Sequence, residues 1–368
     1  MKTVLLAPDS FKGCLSSAEV CAALEIGLKK SYHDIKTLAF PSSDGGEGFC
    51  ACMQNLFGGS LITHPSFDPL GREIETSFIY NDDNKTAYIE LAAASGLTLV
   101  SECERDIMRS STYGTGVSVL KAVQLGAKTV YIGLGGSATN DCGMGLLSAL
   151  GASFYGKDGV LLAPSAFNMS KVERSDYSVL RENIKGISFI AACDVKNKLC
   201  GKDGAAYVFA RQKGASDEEI AFLDKALESF SSSASIDKDL DGAGAAGGTG
   251  AALLSVLRAE YVSGASLLVG SDKFKKALTD SEAVITGEGN TDSQSCSGKL
   301  ISVVANACKT ACKRCIVISG GLSGDYNSLK DYGVSEFHSL TDKDHSTAFC
   351  IDNAGEMLAL RASECLFD

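Results

Sequence analysis

Apolar runs of strand length alternate with helix-patterned stretches along this chain, and three of the turns that follow strand runs are glycine clusters that carry carboxylates. The alternation predicts an α/β fold built on parallel sheet. The turns read Asp44-Gly45-Gly46-Glu47-Gly48, Gly133-Leu134-Gly135-Gly136-Ser137-Ala138-Thr139-Asn140-Asp141 and Gly287-Glu288-Gly289-Asn290-Thr291-Asp292. Glycines let backbone N–H groups close on an anion, and a helix behind such a turn favours negative charge. Carboxylates beside a phosphate repel it unless a cation intervenes. The repeated combination therefore points to polyphosphate with a divalent metal, the needs of phosphoryl transfer.

Several segments fix the organisation. Thr3 to Ala7 reads as a buried strand, and Ser16 with Glu19 has capping-box spacing at the start of a helix. Lys36 to Phe40 is a second short strand leading into the Asp44 turn. Glu73 to Tyr80 and Thr86 to Leu91 flank Asn81-Asp82-Asp83-Asn84 and read as a hairpin. Thr129 to Leu134 is a strand feeding the Gly135 turn, and Ser188 to Cys193 is a strand ending at Asp194. Ala283 to Thr286 and Ile316 to Ser319 return to the strand–turn–helix texture of the first fifty residues. The simplest arrangement is one parallel-sheet domain from both chain ends, residues 1–65 with 285–368, and a mixed α/β domain, residues 66–284, inserted between them. The 368 residues are enough for two such cores.

Other classes fit poorly. A formal net charge of -11 argues against nucleic-acid or anionic-membrane partners. The N-terminal apolar run is cut off by Pro8 and Asp9, which predicts no signal peptide and a cytoplasmic protein with its 14 cysteines reduced. Cys312 and Cys315 form a Cys-x-x-Cys, but no second pair or nearby His completes a zinc set, and a structural role is expected. The four histidines lie away from the glycine clusters, so histidine-based mechanisms are not expected. Gly242-x-Gly244-x-x-Gly247 matches the dinucleotide fingerprint, yet an acidic stretch precedes it where a strand is required. Close packing or backbone contact with a phosphate is the better reading. The Gly-Lys pairs at 156, 201 and 298 lack the Ser or Thr of a P-loop.

The Gly135–Asp141 segment is the strongest local signal. Gly135 and Gly136 free backbone N–H groups, Ser137, Thr139 and Asn140 add neutral donors, and Asp141 could hold a metal. A helix cap would need fewer polar residues. Asp44, Glu288 and Asp292 are the further metal candidates. Asp9, Ser10 and Lys12 follow the first strand, at the edge where parallel sheets bind ligands. Lys12 could clamp a carboxylate or a transferring phosphoryl group. Arg211 and Lys213 form a second basic cluster, and Asp194 could act as a general base, a metal ligand or a cap.

Taken in order, eight motifs resemble the type-1 glycerate kinases. They are Ala7 to Lys12, Ser43 to Gly48, Thr112 to Gly116, Gly135 to Asp141, Cys193-Asp194-Val195, Gln212 to Ala215, Gly242 to Gly248 and Gly287-Glu288-Gly289. The resemblance runs from about residue 2 to about 340. It implies ATP-dependent phosphorylation of D-glycerate, two α/β domains of which one is flavodoxin-like, and an active site in the cleft between them. On this reading glycerate lies near Asp9, Ser10 and Lys12 with Arg211 and Lys213 as cations. ATP phosphates lie on Gly135, Gly136, Ser137, Thr139 and Asn140, and Mg²⁺ is held among Asp44, Asp141, Glu288 and Asp292. Asp194 accepts the hydroxyl proton, and the family leans towards 2-phosphoglycerate. A homo-oligomer is compatible with the sequence. Asn290 stands where the family usually has Arg, which removes a possible bidentate contact that Arg211 or Lys198 could replace. An NAD-dependent oxidoreductase, a non-catalytic metabolite binder and a kinase for another hydroxy acid are the competing readings.

Overall fold

A computed structural model describes residues 2–11, 13–43, 45–296 and 299–365. The chain separates into two compact units, Met1–Asp44 with Gly264–Asp368, and Gly45–Ser263.

In the first unit, five parallel strands lie in the order Val334–Ser339, Arg314–Ser319, Ala283–Thr286, Thr3–Leu6, Lys36–Ala39. Numbered along this unit the order is 2-1-3-4-5, the flavodoxin-like arrangement. Val4, Leu5 and Leu6 are fully buried beside Ala283, Val284 and Ile285, with Val4 opposite Ala283 and Leu6 opposite Ile285. Helices cover both faces of such a sheet, which is why these strands read as continuous apolar runs without alternation. The helix Ser17–Ser31 carries the expected capping box: Ser16 accepts from the Glu19 N–H and Glu19 returns the bond to the Ser16 N–H. This helix packs on Ala354–Glu364, so both chain ends share one core. A Cβ at Gly27 would sit 2.0 Å from the Ala359 carbonyl oxygen, so only glycine permits that approach.

The second unit holds a six-stranded sheet ordered Glu260–Val262, Ser188–Ala192, Thr129–Gly133, Thr86–Glu90, Glu73–Asn81, Ser60–Phe67. The first four strands are parallel and the last two antiparallel. The predicted hairpin is present, with Ile79 opposite Tyr88 and Asn81 opposite Thr86.

The units divide at 44/45 and 263/264, not at the expected 65/66 and 284/285. Two features move the first boundary. Ser60–Phe67 pairs along its whole length with Glu73–Asn81, and Phe57, at the end of the helix Phe49–Phe57, stacks on Tyr88 at 5.7 Å. Ser60–Phe67 mixes apolar with polar residues, including His64 and Pro65, so it carries a weak strand signal. The second boundary moves because the helix Asp272–Asp280 packs in the first unit, with Phe274 edge-on to Phe40 at 5.5 Å. Among the described residues, no helix is long and apolar enough to cross a membrane.

Candidate functional site

Three adjacent strands of the second unit end at one level. Glu90 lies opposite Gly133, and Gly133 opposite Ala192. The residues just beyond therefore gather at the carboxyl edge of the parallel part of the sheet, where open α/β sheets bind ligands. They include the Gly135–Asp141 turn and Asp194, which is half-buried.

The glycines here serve close packing. The Gly135 N–H donates to the Gly45 carbonyl at 2.9 Å, and a Cβ on Gly135 would lie 2.2 Å from the Gly46 Cα. Gly45, with a φ of +89°, leaves no room either: its Cβ would meet the Ala192 carbonyl oxygen at 2.2 Å. The Asp44 turn and the Gly135 turn are thus brought together through Gly45 and Gly46. Asp44 itself lies outside the described residues. The Gly242–Gly250 cluster packs behind the same turn. The Cys142 N–H donates to the Gly247 carbonyl at 3.0 Å, and a Cβ on Gly247 would sit 2.0 Å from the Thr139 carbonyl oxygen. No strand directly precedes this cluster, so it lacks the setting of a dinucleotide fingerprint, and these contacts are those of close packing, one of the two roles expected of it.

The side chains of the turn divide into two kinds. Asp141 is fully buried and faces inward. It accepts from the Thr112 N–H and hydroxyl, both at 2.8 Å, from the Gly145 N–H at 3.1 Å and from the Gly143 N–H at 3.2 Å. Burial pushes its carboxyl up, while these donors pull the other way. A carboxylate so enclosed caps the helix Met144–Ala149 and ties it to Thr112; its oxygens do not reach out to a metal. The geometry therefore argues against Asp141 as a magnesium ligand.

Thr139 and Asn140 differ. Both are fully buried, yet among the described residues the Thr139 hydroxyl and both ends of the Asn140 amide have no hydrogen-bond partner. A buried unsatisfied polar group costs about 1–3 kcal/mol, so three such atoms on adjacent residues single this turn out. Gly136 is exposed at a φ of +70°, as an open backbone cradle requires.

Lys213 lies behind the turn. Its ammonium donates to the Ser137 hydroxyl at 2.8 Å and the Thr139 carbonyl at 2.7 Å, and the side chain is almost fully buried. Burial pushes it down to about 7, with the Asp141 charge pulling upward. It supports the turn from within instead of presenting a charge to substrate. Arg211 is exposed and ion-paired with Asp217, and Lys198 is paired with Asp241 at 2.7 Å. Both pairs are solvent-exposed, where ion pairs hold side chains only weakly. Glu90, the last residue of the strand Thr86–Glu90, is a further carboxylate at this edge that sequence reasoning did not single out. It is half-buried, accepts from the Cys50 N–H at the start of helix Phe49–Phe57, and is held above the usual carboxylate range chiefly by burial, with the nearby Glu47 adding to the effect. Its signal was an acid closing an apolar strand run.

In the first unit, Asp9 and Ser10 lie directly past the first strand, and the Asp9 N–H donates to the Gly287 carbonyl at 2.8 Å. The Ser10 N–H donates to the Asp9 carboxylate at 2.7 Å. This brings the first-strand loop and the Gly287–Asp292 turn together. Lys12 lies outside the described residues. Glu288 accepts from the Ser295 hydroxyl, which also receives the Asp292 N–H at 3.1 Å. One short turn therefore carries two carboxylates. Among the described residues no cluster of three His, Cys, Asp or Glu suits a metal. Magnesium needs only one or two protein carboxylates when phosphate and water complete its shell, so the absence of a larger cluster does not exclude it.

This is the α/β architecture of a phosphate-handling enzyme, with a glycine turn and unsatisfied donors at a sheet's carboxyl edge. The sequence matches the Glycerate kinase family over residues 4–366. It is 38% identical to the Glycerate 2-kinase of Escherichia coli (strain K12) over 342 residues, covering 92% of this chain and 90% of that one. It is 36% identical to the Glycerate kinase of Bacillus subtilis (strain 168), also over 342 residues, with the same coverage of 92% and 90%. The crystal structure of a provisionally assigned glycerate kinase 2 from Salmonella typhimurium LT2 superposes with a TM-score of 0.81 at 34% identity, covering 99% of this chain and 96% of that one. The chain belongs to the glycerate kinase family and is an ATP-dependent small-molecule kinase.

Proposed function

We propose that the protein transfers the terminal phosphoryl group of ATP to the 2-hydroxyl of D-glycerate. The observation that carries this reading is the pair Thr139 and Asn140, buried without partners among the described residues, on a glycine turn at the carboxyl edge of a parallel sheet. Phosphoryl oxygens are suitable partners for the Thr139 hydroxyl and the Asn140 amide N–H. The exposed Gly136 backbone and the Ser137 hydroxyl, fixed by Lys213, complete the cradle. Phosphoryl transfer demands alignment and charge stabilisation more than covalent chemistry, and preformed donors that need no rearrangement suit that demand.

Asp194 is the proposed acceptor of the hydroxyl proton, and Asp9, Ser10 and Lys12 are the proposed glycerate contacts. Glu288 and Asp292 would hold Mg²⁺, whose chemical contribution is to neutralise charge on the phosphates. The preference for the 2-hydroxyl is supported by the E. coli relative, which is named for it. The test is incubation with ATP, Mg²⁺ and D-glycerate, followed by ³¹P NMR of the product. The 2-phosphate ester is expected. The 3-phosphate ester would overturn the regiochemistry, and ATP consumption only with another hydroxy acid would overturn the substrate.

A further inference from the structure

The first unit contains a cavity of about 400 Å³ that none of the roles above uses. It lies beyond the carboxyl ends of the strands. Phe11 and Cys14 follow the strand Thr3–Leu6, and Asn290 follows Ala283–Thr286. In a 2-1-3-4-5 sheet, the topological switch point falls between those two strands, and crevices at switch points are the usual ligand sites of such folds. The volume is within the range of roughly 300–1,000 Å³ typical of small-molecule sites.

The walls decide what it can hold. Its lining is mostly apolar, and no charged side chain contributes to it among the described residues. Neutral polar groups complete the wall. The Asn290 amide is held by the Ser323 hydroxyl at 3.0 Å, and the Thr341 hydroxyl by that of Ser339 at 2.9 Å. Glycerate is a small anion with little apolar surface, and the described lining offers it no counter-charge for its lost hydration. A flat, neutral heterocycle suits such a site, because its faces bury against apolar walls and its edge nitrogens meet amide and hydroxyl groups.

We propose that this cavity binds the adenine base and ribose of the nucleotide. The inference rests on the ATP-dependent reading above. The chain has no Trp, so Thr347→Trp at the exposed rim gives a single indole reporter. Adenosine alone, which carries no phosphoryl group to transfer to glycerate, should quench that indole saturably, whereas D-glycerate and tripolyphosphate should not. Cys14, also in the lining, should be alkylated roughly tenfold more slowly in unsubstituted protein with saturating ADP, as read by peptide mass spectrometry. Ala354→Phe, which fills the cavity from the helix Ala354–Glu364, should raise the KM for ATP roughly tenfold or more and leave the KM for glycerate nearly unchanged. An indole unresponsive to adenosine, together with undiminished Cys14 alkylation under ADP concentrations that inhibit turnover, would overturn the proposal and leave the kinase reading intact. Absence of ATP-dependent glycerate phosphorylation would instead overturn the kinase reading, and the adenosine titration would still report on the cavity.

Discussion

Replacing Lys213 by Met should change the pH dependence of stability in a calculable way. The substitution keeps the length and apolar stem of the side chain and removes its ammonium. In the folded protein that ammonium is buried and pushed down to about 7. In the unfolded chain it titrates near 10.4. Between these values the unfolded chain retains a proton that the folded protein has released, so Lys213 makes stability rise with pH across this window. The gain is lost as pH falls from about 10 towards 7. Each unit of pH within the window contributes about 1.4 kcal/mol, so the rise from pH 7 to pH 9 is on the order of 2 kcal/mol, allowing for partial titration at the lower end. Urea unfolding of the wild type and the variant at both pH values measures it, and taking the difference between the proteins cancels the titration of other groups. The variant should lack that rise of about 2 kcal/mol. It should also lose turnover at every pH, because Ser137 and the Thr139 carbonyl lose their common donor. Parallel stability curves for the two proteins would refute the claim that a buried, partly neutral lysine supports the turn.

Three further outcomes follow from named contacts. Asp141→Ala should lower stability by several kcal/mol, since it strands the N–H groups of Thr112, Gly143 and Gly145 at about 1–3 kcal/mol each; normal stability with a weakened Mg²⁺ requirement would restore it as a metal ligand. Gly27→Ala should cost about 1–3 kcal/mol in chemical denaturation, because its methyl group meets backbone at Ala359; an unchanged midpoint would show that the two helices can separate freely. Lys12→Met should reduce turnover by about a hundredfold or more while the fold persists, and a near-normal rate would remove Lys12 from the chemistry.

What the sequence revealed depended on whether the determining contacts were local. The capping box at Ser16 and Glu19 lies within one turn of helix, and the buried runs at Thr3 and Ala283 declare themselves by apolarity alone. The Gly135 turn was legible because its glycines and polar residues are contiguous. The role of Asp141 was not, because its principal partner Thr112 lies 29 positions away, and a cap and a metal ligand look alike in one dimension. Lys213 reaches Ser137 across 76 positions, so its bonds behind the turn were hidden in a basic cluster with Arg211 that sequence alone showed only as charge. The boundary at residue 65 failed on Ser60–Phe67, whose strand character comes from pairing with Glu73–Asn81 more than from its own composition. The cavity in the first unit is formed by four separate stretches of chain, and no single stretch announces it.

Asn140→Leu tests the central claim most directly, through paired measurements of melting temperature and turnover on one protein. If the buried amide is left without partners in order to hold a phosphoryl group, an apolar side chain of similar volume should raise the melting temperature by a few degrees, relieving about 1–3 kcal/mol, while activity falls about a hundredfold or more. A less stable variant that retained full turnover would show that the amide belongs to the core and that the phosphate cradle lies elsewhere.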